Sequence, residues 1–354
     1  MKRILIVRLS AMGDVLHAMP AVIALRRAFP AANIGWVVER RWRPLLAADS
    51  TTLFGTPTPE RPLVDHIHIV DTAHWRSKWS SNETLQEIRL AVRELRDGAY
   101  DLAVDFQGTI KSATSAALSR APQRLGFTRP REKPAALFYT HTVDALGRHV
   151  VEQNMSLVRA VTSQIPGPTT LPLPMDVEAE RHYLAELNRL QMNSYALINP
   201  GAGWGAKQWS AQSFGEVARG LASLGLRSLV NFGPGEESLA QQVVHHSCGA
   251  AIALSMTLSQ LIAFTRRARI FLGGDTGPMH LAAALGVPVV ALFGPTDPVR
   301  NGPFGTEHVV LRNPLSTTSY SHIAQQDAGL SAITSSEVTE AAARLLARTG
   351  GLRE

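Results

Sequence analysis

Short apolar runs along the chain alternate with alanine-rich helical patterns. The first apolar run covers residues 3–9 and is followed by a turn that contains Gly13 and Asp14. A helical pattern then extends to about Phe29 and stops at Pro30. A strand, a tight turn and a helix in this order predict a βα unit of a parallel sheet.

A second βα unit of the same kind begins near residue 268. The apolar run 268–273 precedes the turn 274–277, and a helix is predicted from Pro278 to about Leu285. Further strand-like runs lie between helical patterns at residues 34–38, 66–70, 101–105, 195–199, 228–232 and 287–293. This alternation predicts an α/β protein with two doubly wound domains.

A proline-rich stretch separates the two halves. Residues 165–174 contain four prolines, which neither continue a helix nor fit a central strand, so they predict a linker. We therefore expect a first domain over residues 1–168, a linker over 169–176 and a second domain over 177–330. A last helical pattern within 331–354 starts near Ser336, and its packing is open between the second domain and a return to the first.

Composition narrows the class of protein. The 354 residues are 45% hydrophobic and 18% charged, which is typical of a globular chain and excludes disorder as the main state. A single cysteine, Cys248, closes no intrachain disulfide, so a reducing cytosol is expected. Arg8 interrupts the first apolar run too early for a signal peptide or a membrane span. The net charge of +6 indicates an anionic partner.

The turn after the first strand carries the first candidate for chemistry. Asp14 stands where a strand ends and a helix begins, which is where open α/β sheets bind their ligands. The helix dipole favours its ionised form, so Asp14 is a candidate base for the proton of an attacking hydroxyl. The alternative is that Asp14 is the N-cap of the helix, a common role for aspartate.

The second turn is a candidate anion site. Thr276 and Gly277 offer backbone N–H groups at a helix start, and such a terminus binds phosphate. Asp275 would repel a diphosphate, so we expect it to accept hydrogen bonds from sugar hydroxyls or to cap the helix. His280, one turn into the helix, either reaches the same place or is structural.

Two more loops follow strand-like runs of the second half. Residues 200–209 form a Gly-rich loop in which Lys207 is suited to phosphate oxygens, although the spacing is not that of a P-loop. Glu236 is suited to a ribose diol or is an acid in the first turn of a helix. Together with the 274–277 turn, these loops predict a nucleotide site in the second domain.

The sequence lacks the motifs that are typical of several other reactions. We find no D-x-D pair, no H-E-x-x-H and no G-x-S-x-G, and the dinucleotide fingerprint lacks its third glycine. Metal-dependent transfer and hydride transfer are therefore disfavoured. The pairs His66/His68 and His245/His246 lack the spacing of a helical zinc motif, and we interpret them as strand or surface residues.

Five motifs in order resemble one known family. They are RLSAMGD at 8–14, DFQGTIKS at 105–112, NPGAG at 199–203, GDTGPMH at 274–280 and FGPTD at 293–297. They are similar to the bacterial heptosyltransferases that build the inner core of lipopolysaccharide, over about residues 1–305. Residues 75–78, 131–139 and 149–154 are most similar to heptosyltransferase I, which adds the first heptose to the Kdo of Kdo-lipid A.

The resemblance implies a GT-B architecture, in which two Rossmann-like domains face a central cleft. It also implies an inverting, metal-independent transfer from ADP-heptose, with no cofactor and no metal ligand. Its catalytic residues would be Asp14 as the base and Lys207 beside the departing diphosphate. The implied donor contacts are Gly203, Lys207, Glu236, Asp275, Thr276, Gly277 and His280. The implied acceptor contacts are Ser10, Gly13, Arg76, Lys78, Gln107 and Arg131.

The implied partners are ADP-heptose, Kdo-lipid A and an anionic membrane surface, with no role for nucleic acid. Trp75 and Trp79 flank Arg76 and Lys78 and would rest at the cytoplasmic face of the inner membrane without spanning it. One alternative is heptosyltransferase II or III, which would differ in the acceptor. Another is a non-catalytic protein that binds nucleotide sugars, which would keep the 274–280 motif but would not require Asp14.

Overall fold

The computed structural model describes residues 2–163, 171–319 and 326–350. The chain divides into two compact units, Met1–Asp176 and Val177–Glu354. In the described part of each unit, six strands form one parallel sheet with helices packed against it. The predicted α/β class with two doubly wound domains is therefore confirmed.

The first unit begins with a central strand. Its strands are β1 (Arg3–Val7), β2 (Asn33–Glu39), β3 (His66–Val70), β4 (Leu102–Asp105), β5 (Gln123–Phe127) and β6 (His141–Val143). Its helices are α1 (Met12–Ala28), α2 (Thr72–Ser77), α3 (Asn82–Asp97), α4 (Ile110–Leu118) and α5 (Val150–Arg159), with 3₁₀ turns at Arg40–Leu45 and Lys133–Phe138. The sheet order is β3-β2-β1-β4-β5-β6, so the direction of winding reverses between β1 and β4. The turns that follow these two strands lie side by side, where such sheets bind ligands.

The second unit repeats this plan. Its strands are β7 (Ala196–Asn199), β8 (Ser228–Phe232), β9 (Ala251–Ser255), β10 (Ile270–Gly274), β11 (Val289–Leu292) and β12 (His308–Leu311). Its helices are α6 (Val177–Leu190), α7 (Ala211–Ser223), α8 (Glu237–His246), α9 (Leu258–Arg267), α10 (Gly277–Ala284), α11 (Pro298–Asn301), α12 (Ala328–Ala332) and α13 (Ser335–Thr349). The order β12-β11-β10-β7-β8-β9 places the reversal between β7 and β10. The Gly-rich loop and the 274–277 turn therefore leave neighbouring strands.

The central strands are apolar because helices cover both faces of each sheet. Ile4 to Val7 of β1 and Ile270 to Leu272 of β10 are fully buried. The predicted strands at 66–70 and 228–232 coincide with β3 and β8, and the others differ by one or two residues at their ends. The central strands thus form the core of each unit and direct their polar turns to one edge.

The predicted linker is described only in part. Residues 164–170 lie outside the described residues, whereas 171–176 lie against the first unit. The Met175 N–H donates to the Pro59 carbonyl at 2.9 Å, and the Asp176 carboxylate accepts from the Asp49 N–H at 2.9 Å. The second unit begins at Val177.

The last helix packs on the second unit. Thr334 and Glu337 form a capping box at the start of α13, and α12 ends only a few residues earlier. The apolar residues of α13 follow helical spacing and are buried in the core beside α7, β11 and β12: Val338, Ala341, Ala342, Leu345 and Leu346. The alternative in which this helix returns to the first domain is wrong, because its apolar face completes the second core.

Candidate active site

The turn after β1, residues 8–14, is named the Asp14 turn. One oxygen of Asp14 pairs with Nη2 of Arg8 at 2.6 Å, and the other accepts the N–H of Ala11 at 3.2 Å. Arg8 also donates through Nη1 to the carbonyl of Phe106. The Arg8 side chain is buried, whereas 32% of the Asp14 side chain is exposed. The carboxylate is thus held in one orientation with one side open to solvent.

The N-cap alternative for Asp14 is wrong. The N-cap of α1 is Ala11, and Asp14 is the third residue of the helix. Its carboxylate reaches back to the Ala11 N–H, which is the return half of a capping box. Asp14 therefore stabilises the helix start and is also accessible for chemistry.

The turn after β4 is organised by a buried carboxylate. Asp105 accepts hydrogen bonds from the N–H groups of Gln107 (2.8 Å) and Gly108 (3.1 Å). It also accepts from the hydroxyls of Ser112 (2.8 Å) and Tyr139 (2.7 Å). Burial raises the pKa of Asp105, although the four hydrogen bonds oppose that rise. Asp105 therefore ties this turn to α4 and to the segment that ends at Tyr139.

Gln107 is directed toward the Asp14 turn. Its Oε1 accepts the N–H of Leu9 at 2.8 Å and the N–H of Ser10 at 3.3 Å. Its Nε2 donates to the hydroxyl of Thr109 at 3.3 Å, and only 9% of the residue is exposed. This side chain was predicted to contact the acceptor, and the structure instead engages it with the backbone.

Arg131 lies beside the turn after β4. A Cβ on Gly108, whose φ is +70°, would lie 3.0 Å from the Arg131 nitrogen, and the Glu132 N–H donates to the Gly108 carbonyl at 2.9 Å. Arg131 itself is exposed. This tight approach places one predicted acceptor cation next to Gln107.

The other predicted acceptor cations follow β3, at an outer position of the sheet. Arg76 in α2 and Lys78 just after it are exposed. Trp79 is 74% exposed, but Trp75 packs on the core and donates through Nε1 to Glu87 at 3.0 Å. Of the two tryptophans predicted at a membrane surface, Trp79 is therefore the exposed one and Trp75 is partly buried, and the membrane contact itself stays a prediction.

In the second unit, Lys207, Asp275 and His280 form one buried cluster. Nζ of Lys207 lies 2.7 Å from one Asp275 oxygen and 3.3 Å from the Asp275 carbonyl. Nε2 of His280 lies 3.2 Å from the other carboxylate oxygen. Burial alone would raise the pKa of Asp275, but His280 and the Lys207 charge together hold it well below its usual range. Asp275 is therefore an anion that orients Lys207 and does not cap α10.

The start of α10 has no side-chain cap. Thr276 is the N-cap residue, but its hydroxyl donates to the Gly274 carbonyl at 3.3 Å and makes no cap hydrogen bond. Gly277 is the first helical residue. This arrangement fits the predicted anion site, since the N–H groups of a helix start attract phosphate oxygens.

A hydrogen bond from β8 supports the Gly-rich loop that follows β7. The Asn231 amide donates to Asn199 at 2.7 Å, and the Asn199 amide donates to the Gly201 carbonyl at 3.1 Å. Glu236 accepts the Gly233 N–H at 2.8 Å, and a Cβ on Gly201 would lie 2.1 Å from its carboxylate. Glu236 thus lies across the glycine of the neighbouring loop, where it remains partly exposed.

The Gly-rich loop leaves open space at Gly203. Among the described residues, apart from its two chain neighbours, no atom lies within 4 Å of the position that a Cβ would take on Gly203. The Lys207 ammonium lies 5.2 Å from the centre of the Trp204 ring. The predicted donor contacts are therefore grouped at the carboxyl ends of β7, β8 and β10.

The sequence model of Glycosyltransferase family 9 (heptosyltransferase) matches residues 88–327. The chain belongs to this family. It is an enzyme, a glycosyltransferase, and the resemblance stated from its motifs is confirmed.

Comparison of this family 9 glycosyltransferase with individual relatives supports the same assignment. Lipopolysaccharide heptosyltransferase 1 of Escherichia coli (strain K12) is 29% identical over 88% of this chain and 94% of its own. Lipopolysaccharide heptosyltransferase 3 of Escherichia coli is 25% identical over 80% and 81%. The fold is similar to two structures of E. coli heptosyltransferase WaaC, one with ADP and one with ADP-2-deoxy-2-fluoro heptose, with TM-scores of 0.77 and 0.74. In both comparisons the sequence identity is 27%, and the match covers 97% of this chain and 99% of the WaaC chain. The predicted fold class, with two Rossmann-like doubly wound domains, is confirmed.

The sequence patterns assigned no role to several residues that the structure places in the site. Arg8 and Asp105 stand in the quoted motifs, and each has one partner that is distant in sequence, Phe106 for Arg8 and Tyr139 for Asp105. Glu39 at the end of β2 is buried and pairs with Lys111 of α4 at 3.1 Å, and Lys111 also donates to Thr72 at 2.8 Å. The signal for these residues is a charged side chain at the end of a buried strand.

Among residues 2–163, 171–319 and 326–350, no three His, Cys, Asp or Glu side chains are grouped as a metal ion would require. In the same ranges no helix has the length and apolar character needed to cross a bilayer. His66 and His68 lie in β3, and His245 and His246 end α8.

Proposed function

We propose that this enzyme transfers heptose from ADP-heptose to the Kdo of Kdo-lipid A, the reaction of heptosyltransferase I. The support is the greater identity to heptosyltransferase 1 of Escherichia coli (strain K12), 29%, than to heptosyltransferase 3 of Escherichia coli, 25%, together with the motifs at 75–78, 131–139 and 149–154. One displacement inverts the anomeric centre, and no metal or cofactor takes part.

The observation that carries this proposal is the held but accessible carboxylate of Asp14. In the proposed reaction Asp14 accepts the proton of the attacking Kdo hydroxyl as the new glycosidic bond forms. Its contacts with Arg8 and Ala11 hold the carboxylate in place before substrate binds. A base that is already oriented loses no rate to reorientation.

The second unit binds the donor in this proposal. Lys207 has three N–H donors, of which two contact Asp275, and the third is directed to the diphosphate. The N–H groups at Thr276 and Gly277 offset the charge that develops on departing ADP. Glu236 binds the ribose, and Asp275 with His280 orients the donor.

The first unit binds the acceptor, whose Kdo carboxylates and lipid A phosphates are anionic. Arg76, Lys78 and Arg131 are exposed, and arginine binds carboxylate or phosphate with two parallel hydrogen bonds. Trp79 beside Lys78 supports peripheral association with the cytoplasmic face of the inner membrane, since tryptophan prefers the bilayer interface.

The direct test is Asp14→Ala. We expect kcat to fall by roughly 10²–10⁴-fold, the usual contribution of a general base, while the Kd for ADP-heptose stays unchanged. Asp97→Ala, which removes an exposed aspartate of the same unit, is the matched control and should keep full activity. If Asp14→Ala folds normally and keeps more than about a tenth of kcat, Asp14 is not the base.

A different acceptor is the second candidate, favoured by the match to heptosyltransferase 3. Mass spectrometry of the products from ADP-heptose and a panel of acceptors separates the steps. Transfer to Kdo-lipid A alone supports the first candidate, and transfer only to an acceptor that already carries heptose supports heptosyltransferase II or III. ADP release that does not depend on any acceptor contradicts both.

A further inference from the structure

The amide of Gln107 is used within the protein. Oε1 accepts two backbone N–H groups of the Asp14 turn, from Leu9 and Ser10, and Nε2 donates to Thr109. With 9% of the residue exposed, little of the amide remains for a substrate. We infer that Gln107 is a positioning residue for Asp14 and acts on the rate of transfer rather than on acceptor binding. This inference rests on the proposed role of Asp14.

The turn requires the Gln107 amide because strand pairing stops at the end of β1. Strand pairing continues as far as Val7, whose carbonyl accepts the Phe106 N–H at 3.1 Å. Beyond that point the chain turns into α1, and the N–H groups of Leu9 and Ser10 point to β4. Since buried N–H groups require an acceptor, a carbonyl oxygen at position 107 sets the path of the turn.

The two residues that follow β4, Phe106 and Gln107, also hold Asp14 by a second route. The Phe106 carbonyl accepts from Arg8, and Arg8 pairs with the Asp14 carboxylate at 2.6 Å. The residues at 106 and 107 therefore hold the backbone of the turn and, through Arg8, the carboxylate. Gln107 is itself anchored, because its own N–H donates to Asp105 at 2.8 Å.

The test uses Gln107→Met, which keeps the length of the side chain but removes the acceptor oxygen. We expect kcat to fall by about 10–100-fold, because a shift of about 1 Å in a reacting group has effects of this size. The acceptor KM and the Kd for ADP-heptose should stay within about twofold of the unmodified enzyme. Gln107→Glu, which restores an oxygen to accept the same two N–H groups, should retain more kcat than Gln107→Met.

A double-variant cycle with Asp14→Ala separates positioning from a general loss of structure. If Gln107 acts through Asp14, adding Gln107→Met to Asp14→Ala should change the remaining rate by less than about twofold. Equal losses in both backgrounds would overturn the inference, as would a raised acceptor KM with kcat unchanged. Gln107→Asn, which withdraws the oxygen by one methylene, carries the same expectations if Gln107→Met does not fold.

The failure of the proposed function has a different signature. It would appear as an Asp14→Ala variant with nearly full kcat, whatever the result at Gln107. Failure of the present inference would appear as an Asp14→Ala variant whose kcat is strongly reduced but still measurable, and in which Gln107→Met causes the same fold-loss as in the unmodified enzyme. Circular dichroism and melting temperature of each variant show that folded proteins are compared.

Discussion

Three aspartates that end or follow strands have three different environments. Asp14 is partly exposed and pairs with Arg8. Asp105 is fully buried and accepts four hydrogen bonds, and burial raises its pKa. For Asp275 burial alone would also raise the pKa, yet His280 and Lys207 hold it well below its usual range. The same side chain is thus suited to proton transfer, to backbone anchoring or to orienting a cation, according to its neighbours.

At the residue scale, the burial of His68 makes the free energy of unfolding depend on pH. It is 2% exposed in β3 and lies 2.7 Å from the Tyr100 hydroxyl. Burial, and then the charge of His66, lowers its pKa from 6.5 to about 3. Below about pH 6.5 the unfolded chain binds a proton that the folded chain excludes, so His68 lowers stability as pH falls toward 3, by up to about 1.4 kcal/mol per pH unit.

The measurement is the free energy of unfolding in urea at pH 7 and pH 5. The double variant His68→Phe/Tyr100→Phe, which removes both buried polar groups, should lose less stability over this interval than the unmodified protein. His245→Gln, at an exposed histidine of α8, should leave the pH dependence unchanged. Equal losses in the unmodified protein and the double variant would mean that His68 does not titrate as expected.

Among the elements, the last helix shows how packing assigns a segment to a unit. The apolar side chains of α13 join the core formed by α7 and by β11 and β12 of the second sheet. The short connection from α12, which contributes Leu330 to the same core, leaves the helix beside that sheet. A helix that is marginal by itself is stable here because one face is buried.

Leu345→Ala tests the contribution of this helix. Leu345 is fully buried, so the substitution should lower the free energy of unfolding of the second unit by about 2–5 kcal/mol, as large-to-small core changes do. Its exposed neighbour Arg344, paired loosely with Glu340 at 3.7 Å, is the control, and Arg344→Ala should change stability by less than about 0.5 kcal/mol. Similar urea midpoints for the two variants would contradict this packing.

For the whole molecule, charge is the property that bears on the acceptor. The chain carries a net charge of +6, and exposed cations follow β3 and approach the turn after β4. An anionic acceptor is attracted over several ångströms, and salt screens this attraction at about 10 Å and beyond at 0.1 M. Acceptor binding should therefore depend on salt more than donor binding does.

The double variant Arg76→Ala/Arg131→Ala should raise the acceptor KM, leave the Kd for ADP-heptose unchanged and flatten the salt dependence of acceptor binding. Arg93→Ala/Arg219→Ala is the control, since it removes the same charge from exposed positions on α3 and α7. Initial rates at several acceptor and salt concentrations give both quantities. An acceptor KM that is unchanged at low salt would show that these cations are ordinary surface charge.

Some features of the described residues depend only on the nearby sequence. The alternation of strands and helices, the position of the Asp14 turn and the donor loops could be predicted, because hydrophobic period and turn residues act over a few positions. The motifs further indicated the family. Helix ends were predicted approximately: the last helix was expected to start near Ser336, and its N-cap is Thr334.

Only the tertiary structure decided the partners of the functional side chains. Lys207 and Asp275 are 68 residues apart, and Gln107 is 98 residues from the Leu9 nitrogen that it binds. The sequence predicted acceptor contact for Gln107 and a membrane surface for Trp75, and only the structure shows that Gln107 accepts hydrogen bonds from the Asp14 turn and that Trp75 packs on the core. The sequence also left the packing of α13 open. Which partner a polar group finds depends on which strands are neighbours and which groups become buried, and both are set when the sheets form.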